Sequence, residues 1–303
     1  MKRRIRAMAL LAALTLLCGC GKKEAQPQQE DMAVNIVPVE GVTALELCDG
    51  EVTLRFARTD DTWHWVDDGT FPLDQDAVAA LLALPSSLAA AEPVQGQGEL
   101  SGYGLETPKK YVTATADGAD STIYVGSQTS DGRWYVLTPD GVVRLAAQAD
   151  GEALSRSIYD MAVLPELPAI TEENLISLTL TGAEGKQVTF SVDESGVRRS
   201  GARDVTEKTA SLVDELGKLA VTACVDYDPA DGAAAVCGLD MPEAILAVNY
   251  VNAHGGDGAL TLTVGGSTGD GGRYVTLNGD ATIYRMEETG LAQVLTLEAL
   301  GLS

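Results

Sequence analysis

The feature that most restricts the fold of this chain is an internal repeat. The segment Tyr103–Pro108 recurs as Cys237–Pro242, with Gly-Leu in the second and third places and proline in the last. Farther along, Ile123–Gly126 has its counterpart in Leu262–Gly265, but at a larger offset, which predicts an insertion at Asn252–Gly258 in the second copy. A chain that repeats one unit in order is expected to fold as tandem copies of it.

The first copy has the pattern of a β-rich unit with one main helix. Leu45–Leu47 and Val52–Phe56 alternate apolar and polar residues around an Asp49-Gly50 turn, which predicts a hairpin, and a third strand is expected at Trp63–Val66. Asp74 is placed to cap a helix that Pro85 ends.

The second copy repeats this order. Leu178–Leu180 and Val188–Val192 predict the hairpin, and Asp204 and Glu207 have capping-box spacing before an apolar helical stripe. In each copy the Gly-Leu turn and four more strands follow. The predicted fold class is therefore α+β and β-rich, with antiparallel strands and one main helix in each of two tandem homologous units.

The linker Tyr159–Ala169, with two prolines, is the natural boundary between the copies. We place the first repeat domain at residues 40–165 and the second at 170–303. The pattern leaves open whether the two are related by a pseudo-twofold axis or by translation.

The repeated turn has a structural interpretation and a functional one. Gly104 and Gly238 can adopt a positive φ, and Leu105 and Leu239 would fill the core beneath. The alternative is a ligand-binding loop, although glycine and proline in such places usually serve the fold.

The N-terminus has the pattern of an export signal. Four basic residues within 1–6 precede an uncharged apolar run, Ala7–Leu17, which is shorter than the about 20 residues a membrane-spanning helix needs. Leu17–Cys20 resembles the lipobox of bacterial lipoproteins. This resemblance implies a signal peptide at residues 1–19 and acylation, by palmitate among other chains, of Cys20. An ordinary secretory signal and an uncleaved anchor are the alternatives.

Residues 20–39 are then the lipidated cysteine and a flexible tether. Two or more acyl chains give stable attachment to a bilayer. The predicted location is the extracytoplasmic face of a cell membrane, with the lipid bilayer as one partner.

Charge excludes one class of partner. The chain has a formal net charge of −23 and a pI near 4.3, which argues against nucleic-acid binding. An acidic surface is otherwise mostly a solubility feature. Beyond Cys18 and Cys20 there are three cysteines, Cys48, Cys224 and Cys237; they are interpreted as small buried residues, with a Cys224–Cys237 disulfide as the alternative.

The lipobox, the aromatic-Gly-Leu-x-x-Pro turn, the strand ending at Gly126 and the following Trp134–Val136 together resemble the bacterial "domain of unknown function 4340" family. The resemblance covers most of residues 40–303, and Cys237 departs from it by replacing the usual aromatic residue. It implies no catalytic residue or cofactor. Some members resemble accessory components of ABC-type transport systems, which implies an envelope protein complex as a partner.

No catalytic or metal-binding pattern fits well. Gly265–Gly269 matches the G-x-S-x-G motif around Ser267, but a strand rather than the required helix is expected to follow. His64 and His254 have no motif partner. Asp226–Gly232 departs at three positions from a calcium loop.

Trp63 and Trp65 share one face of a strand, as half-buried core or as a sugar-stacking pair. The leading functional hypothesis is a non-enzymatic lipoprotein that binds or scaffolds an envelope complex. A glycan-binding or small-ligand-binding lipoprotein is the first alternative, and a hydrolase is the second.

Overall fold

Two antiparallel sheets contain most of the secondary structure, one after the other along the chain. The structure is a computed structural model that describes residues 36–38 and 40–292. The first sheet consists of β1 Val42–Asp49, β2 Thr53–Thr59, β3 Thr62–Trp65, β4 Glu92–Pro93, β5 Lys110–Ala116, β6 Ala119–Gln128, β7 Trp134–Leu137 and β8 Val143–Ala146. The second consists of β9 Leu175–Gly182, β10 Gln187–Val192, β11 Arg198–Ser200, β12 Arg203–Asp204, β13 Val221–Asp226, β14 Ala244–Val251, β15 Asp257–Ser267, β16 Gly272–Leu277 and β17 Ile283–Glu287.

The helices are short. They are α1 Gln75–Leu82, α2 Leu84–Ala89, α3 Gln148–Glu152, α4 Ala210–Leu216 and α5 Ala233–Val236. Single 3-10 turns occupy Leu100–Tyr103, Ala153–Ser155, Ile158–Met161 and Glu288–Leu291.

Both sheets have the same topology, which confirms the predicted fold class. The first has the order β3-β2-β1-β5-β6-β7-β8-β4, and the second has β12-β11-β10-β9-β14-β15-β16-β17-β13. Apart from the extra edge strand β12, each strand of the first sheet has one equivalent in the second. The edge strands β4 and β13, which sequence analysis missed, pair with the last strand of their own copy.

The predicted hairpins form. β1 pairs with β2 around Asp49, whose carboxylate accepts hydrogen bonds from the backbone N–H groups of Glu51 and Val52. The extra residues of the second copy lie in the β14–β15 loop, since its last pair, Val251–Asp257, encloses a longer loop than Ala116–Ala119 of β5–β6.

The helix of the first copy begins as predicted. Asp74 is its N-cap, and its carboxylate accepts hydrogen bonds from the N–H groups of Asp76 (2.9 Å) and Ala77 (3.4 Å). Pro85, however, does not simply end a helix. It lies in the first turn of α2, where a missing N–H costs no hydrogen bond.

The predicted capping box of the second copy is wrong. Asp204 belongs to β12 and pairs with Arg199, while α4 begins later, after Thr209, with no side-chain cap. Asp204 pairs within the sheet, although its spacing from Glu207 predicted that it caps a helix. The predicted apolar stripe is nevertheless buried, and consists of Leu212, Val213, Leu216 and Leu219.

Each sheet packs its helices against one face. In the first copy α1 and α2 contribute Val78, Leu81 and Leu88 to a core with Leu45 and Val112. In the second copy α4 supplies the equivalent contacts to a separate core. Each copy is thus a two-layer unit.

Aromatic residues join the two copies. The ring of Phe71 contacts that of Tyr227 edge to face, with centroids 5.3 Å apart, and the Tyr227 hydroxyl donates to the carbonyl of Thr70. The Tyr159 hydroxyl donates to Asp226 at 3.1 Å, and Cys224 of β13 is buried with the first core. The described residues, from Ile36 to Ala292, accordingly form one compact unit.

Two details bear on the ends of the first copy. Ile36 and Val37 pack against the first core, so the folded part includes residues that sequence analysis assigned to the tether. At the edge strand β3, the Gln75 side chain accepts a hydrogen bond from the N–H of Trp63 and donates one to its carbonyl. This side chain occupies the backbone groups through which another strand could pair.

Candidate functional site

The repeated turn lies directly on a glycine of a neighbouring strand. A Cβ on Gly126 would lie 2.2 Å from the carbonyl oxygen of Tyr103, and one on Gly265 would lie 2.4 Å from that of Cys237. In both copies the register of the strand shifts here, as at a β-bulge. The glycine and the bulge allow a backbone carbonyl to approach the strand closely.

The turn itself has the predicted backbone. Gly104 and Gly238 both have a φ of +69°, and Leu105 is buried beneath the first turn, while Leu239 is half-buried. In the second copy the N–H of Gly266 also donates to the carbonyl of Cys237 at 2.8 Å. Two parts of the sequence that carry the family resemblance, the Gly-Leu turn and the strand that ends at Gly126, are therefore in physical contact.

In the first copy an aromatic side chain holds the turn as well. The ring of Tyr103 packs on Tyr135 with centroids 4.8 Å apart, and its hydroxyl accepts a hydrogen bond from the N–H of Gly98. Its exposed neighbours Gly102, Glu106 and Thr107 are polar or lack a side chain. Leu100, at the start of this turn, is 38% exposed, so the turn presents one large apolar side chain that is only partly exposed.

The second copy differs at this surface. Cys237 is buried in place of the tyrosine, and the turn that surrounds it, residues 232–242, exposes two large apolar side chains. Val236 is 87% exposed and Met241 is 81% exposed, more than any other exposed large apolar residue in the described part of the chain. We call residues 232–242 the second-copy turn. It is the candidate functional site.

A family described as "Domain of unknown function (DUF4340)" matches residues 63–232 and, separately, residues 202–298. The chain belongs to this family. The two matched segments, which overlap at residues 202–232, bear out the resemblance to DUF4340. Neither a curated protein nor a solved structure gives a significant match to this DUF4340 chain.

Sequence analysis offered a ligand-binding loop as the alternative interpretation of the repeated turn, but it did not distinguish the second copy of that turn from the first. The available signal was the comparison of the copies, because Met241 replaces Thr107 and Val236 replaces Gly102 at equivalent places. That both side chains project from the surface required the structure.

The G-x-S-x-G segment is a hairpin loop. Ser267 ends β15, β16 begins at Gly272, and the Ser267 hydroxyl oxygen accepts a hydrogen bond from the N–H of Gly269. The strand-turn-helix context that a nucleophile elbow needs does not occur here. Within the described residues, no histidine is hydrogen-bonded to Ser267.

We expect a fluorophosphonate probe to leave Ser267 unlabelled, since nothing bonded to its hydroxyl can take the proton. Intact-protein mass spectrometry after incubation measures this, with a known serine hydrolase as the positive control. A covalent adduct on the wild-type chain that disappears in Ser267→Ala would contradict the expectation.

The remaining predicted candidates are separate from one another. His64 is exposed on β3, and His254 is exposed in the β14–β15 loop. Asp226 accepts the hydrogen bond from Tyr159 and lies at the junction of the copies. In the described ranges, no group of three His, Cys, Asp or Glu side chains is arranged to hold a metal ion.

The tryptophan pair is core. Trp63 is buried in the first core, and half-buried Trp65 packs edge to face on Phe71 at 5.4 Å. This confirms the core interpretation of the pair, and Trp63 offers no free ring face to a sugar.

The cysteines Cys48, Cys224 and Cys237 are all buried and free, in agreement with their interpretation as small buried residues. Burial, with a smaller contribution from Asp226, raises the pKa of Cys224 from 9.0 to about 11. The folded chain thus favours the neutral thiol.

We expect this shift to make stability fall in alkaline solution. A pKa raised by folding contributes stability that is complete below pH 9 and is lost as the pH rises toward 11. Burial also raises the pKa of Tyr159 and Tyr284 nearby, so Cys224 accounts for part of the slope. Urea midpoints at pH 8 and pH 10.5 should differ less in Cys224→Ala than in wild type or in Cys48→Ala. An equal drop in all three would contradict the assignment.

The predicted lipidation site Cys20, the signal peptide at residues 1–19 and most of the tether lie outside the described residues. Among the helices described, none combines the length and apolar character needed to span a membrane.

Proposed function

We propose that this chain is a lipid-anchored, non-enzymatic module that binds a protein on the extracytoplasmic face of the membrane. The observation that carries the proposal is the exposure of Val236 and Met241 on one turn of the folded second copy. Large apolar side chains exposed on a folded surface mark interaction sites when they form a patch.

The backbone hydrogen bonds of the turn support this interpretation. They include Leu239 N–H to the Ala234 carbonyl at 2.8 Å and Cys237 N–H to the Ala233 carbonyl at 3.1 Å. A recognition loop that is ordered before binding loses less conformational entropy when a partner orders it.

The N-terminal pattern supports the location. Acylation at Cys20 and a tether that reaches the first core near Val37 would hold the copies a short distance above the bilayer. Membership of the DUF4340 family, some of whose members resemble accessory components of ABC-type transporters, makes an envelope complex the partner we would test first.

The test is affinity capture of the lipidated chain, cross-linked in membranes of its own host. Wild type should recover one envelope component that Val236→Ser/Met241→Thr does not, and Cys20→Ala should recover less of it. Ala44→Ser/Ala57→Ser, on the outer face of the first sheet, is the matched surface control and should capture as wild type does.

An ABC-type permease as the captured component would establish the accessory role. Equal recovery by wild type and by the turn variant would refute the proposed site. Circular dichroism of each variant must match wild type, so that loss of capture reports the surface rather than unfolding.

A further inference from the structure

The second-copy turn lies in an electronegative part of the chain. Asp231 directly precedes the turn and Asp240 lies within it; both are exposed, and neither makes an ion pair within the described residues. The sequence has no Lys or Arg between Lys218 and Arg273. Arg273, the next cation along the chain, is itself paired with Glu243 and Glu288.

We infer that the second-copy turn inserts into an apolar pocket of a partner protein whose rim carries Lys or Arg side chains. The inference rests on the proposed function and adds the chemistry of the partner. Val236 and Met241 would fill the apolar centre, and Asp231 and Asp240 would meet the basic rim.

The two carboxylates favour this partner over a second copy of the chain or a lipid bilayer, which could also cover an apolar surface. When a partner buries Met241, the adjacent carboxylate of Asp240 loses part of its hydration. A partly desolvated carboxylate is costly in free energy unless a cation pairs with it. A second copy of the chain in a twofold contact would bring this acidic turn near its own equivalent, which is repulsive. An anionic bilayer repels the same charges. A basic-rimmed protein pocket satisfies both the apolar and the charged side chains.

The experiment places the photo-reactive residue p-benzoyl-phenylalanine at Ala235, which is exposed in the turn and leaves Val236 and Met241 intact. The matched control has it at Ser101, the equivalent exposed position of the first copy. The full-length lipidated chain is irradiated in host membranes, and the cross-linked peptides are identified by mass spectrometry.

We expect the probe at position 235 to cross-link one envelope protein, within a segment that has apolar residues beside at least two Lys or Arg residues. The yield should fall about tenfold or more in Asp231→Lys/Asp240→Lys and should decrease as salt is raised. The urea midpoint of this variant should equal that of wild type, because within the described residues the two carboxylates make no ion pair that the substitutions would remove.

Three results would overturn the inference and leave the proposed binding role intact. They are a cross-linked partner segment without Lys or Arg, a yield unchanged by the charge reversal, and a yield unchanged by salt. A cross-link to lipid or to a second copy would overturn the inference and the heterologous partner together. No adduct from position 235, or the same adducts from positions 235 and 101, would refute the proposed function itself.

Discussion

Gly126→Ala is expected to lower the free energy of unfolding by about 3 kcal/mol, at the upper end of what overpacking costs. The new Cβ would lie 2.2 Å from the Tyr103 carbonyl oxygen and 2.8 Å from Cγ of Leu105, which is buried. Neither neighbour can move freely, because one is backbone and the other is fixed in the first core. Urea denaturation with linear extrapolation measures the loss.

The second copy provides an internal control for the same contact. Gly265→Ala meets the Cys237 carbonyl oxygen at 2.4 Å, whereas a Cβ on the adjacent Gly266 has its nearest neighbour at 3.5 Å, an ordinary contact. Gly265→Ala should therefore be strongly destabilising and Gly266→Ala nearly neutral. Similar midpoints for these two variants would mean that the turn–strand contact does not stabilise the fold.

Phe71→Ala is expected to cost about 3–5 kcal/mol and to separate the unfolding of the two copies. Phe71 contacts Trp65, Tyr159 and Tyr227 with centroid distances of 5.4, 6.4 and 5.3 Å, so its ring bridges the first core and the second copy. Loss of the ring therefore removes contacts within the first copy and contacts between the two copies.

The tryptophans make this separation measurable. All three, Trp63, Trp65 and Trp134, belong to the first copy, so their fluorescence follows that copy while circular dichroism follows both. In wild type the two signals should change together, and in Phe71→Ala they should diverge.

Phe56→Ala is the control, since Phe56 is buried in the first core and makes no ring contact with the described residues of the second copy. It should destabilise without the same divergence. Coincident transitions in Phe71→Ala would show that other contacts are sufficient to couple the copies.

The predictions that the structure confirms concern features determined by residues close together in sequence. The Asp49 turn, the Asp74 cap and the positive φ of Gly104 each depend on residues a few positions apart, and all formed as predicted. The repeat extended the hairpin and the positive φ to the second copy, but not the helix cap, because Asp204 pairs in β12.

The elements that were not predicted depend on pairing between segments that are distant in sequence. β4 and β13 form because Glu92 pairs with Leu145 and Val221 with Met286, pairings that leave no local pattern. The exposure of Val236 also depends on distant segments. Its four-residue apolar run, Ala233–Val236, predicts burial, and only the positions of the neighbouring elements show that Val236 is exposed.

The contact between the turn and the strand glycine has an evolutionary consequence. It involves a main-chain oxygen and a Cα, and so it survives the exchange of Tyr103 for Cys237 with its geometry nearly unchanged. Mutations of the exposed side chains of the turn can therefore alter which partner is recognised without altering the contact between the turn and the strand. Duplication of such a unit gives one copy freedom to acquire a new specificity while the other retains the ancestral surface.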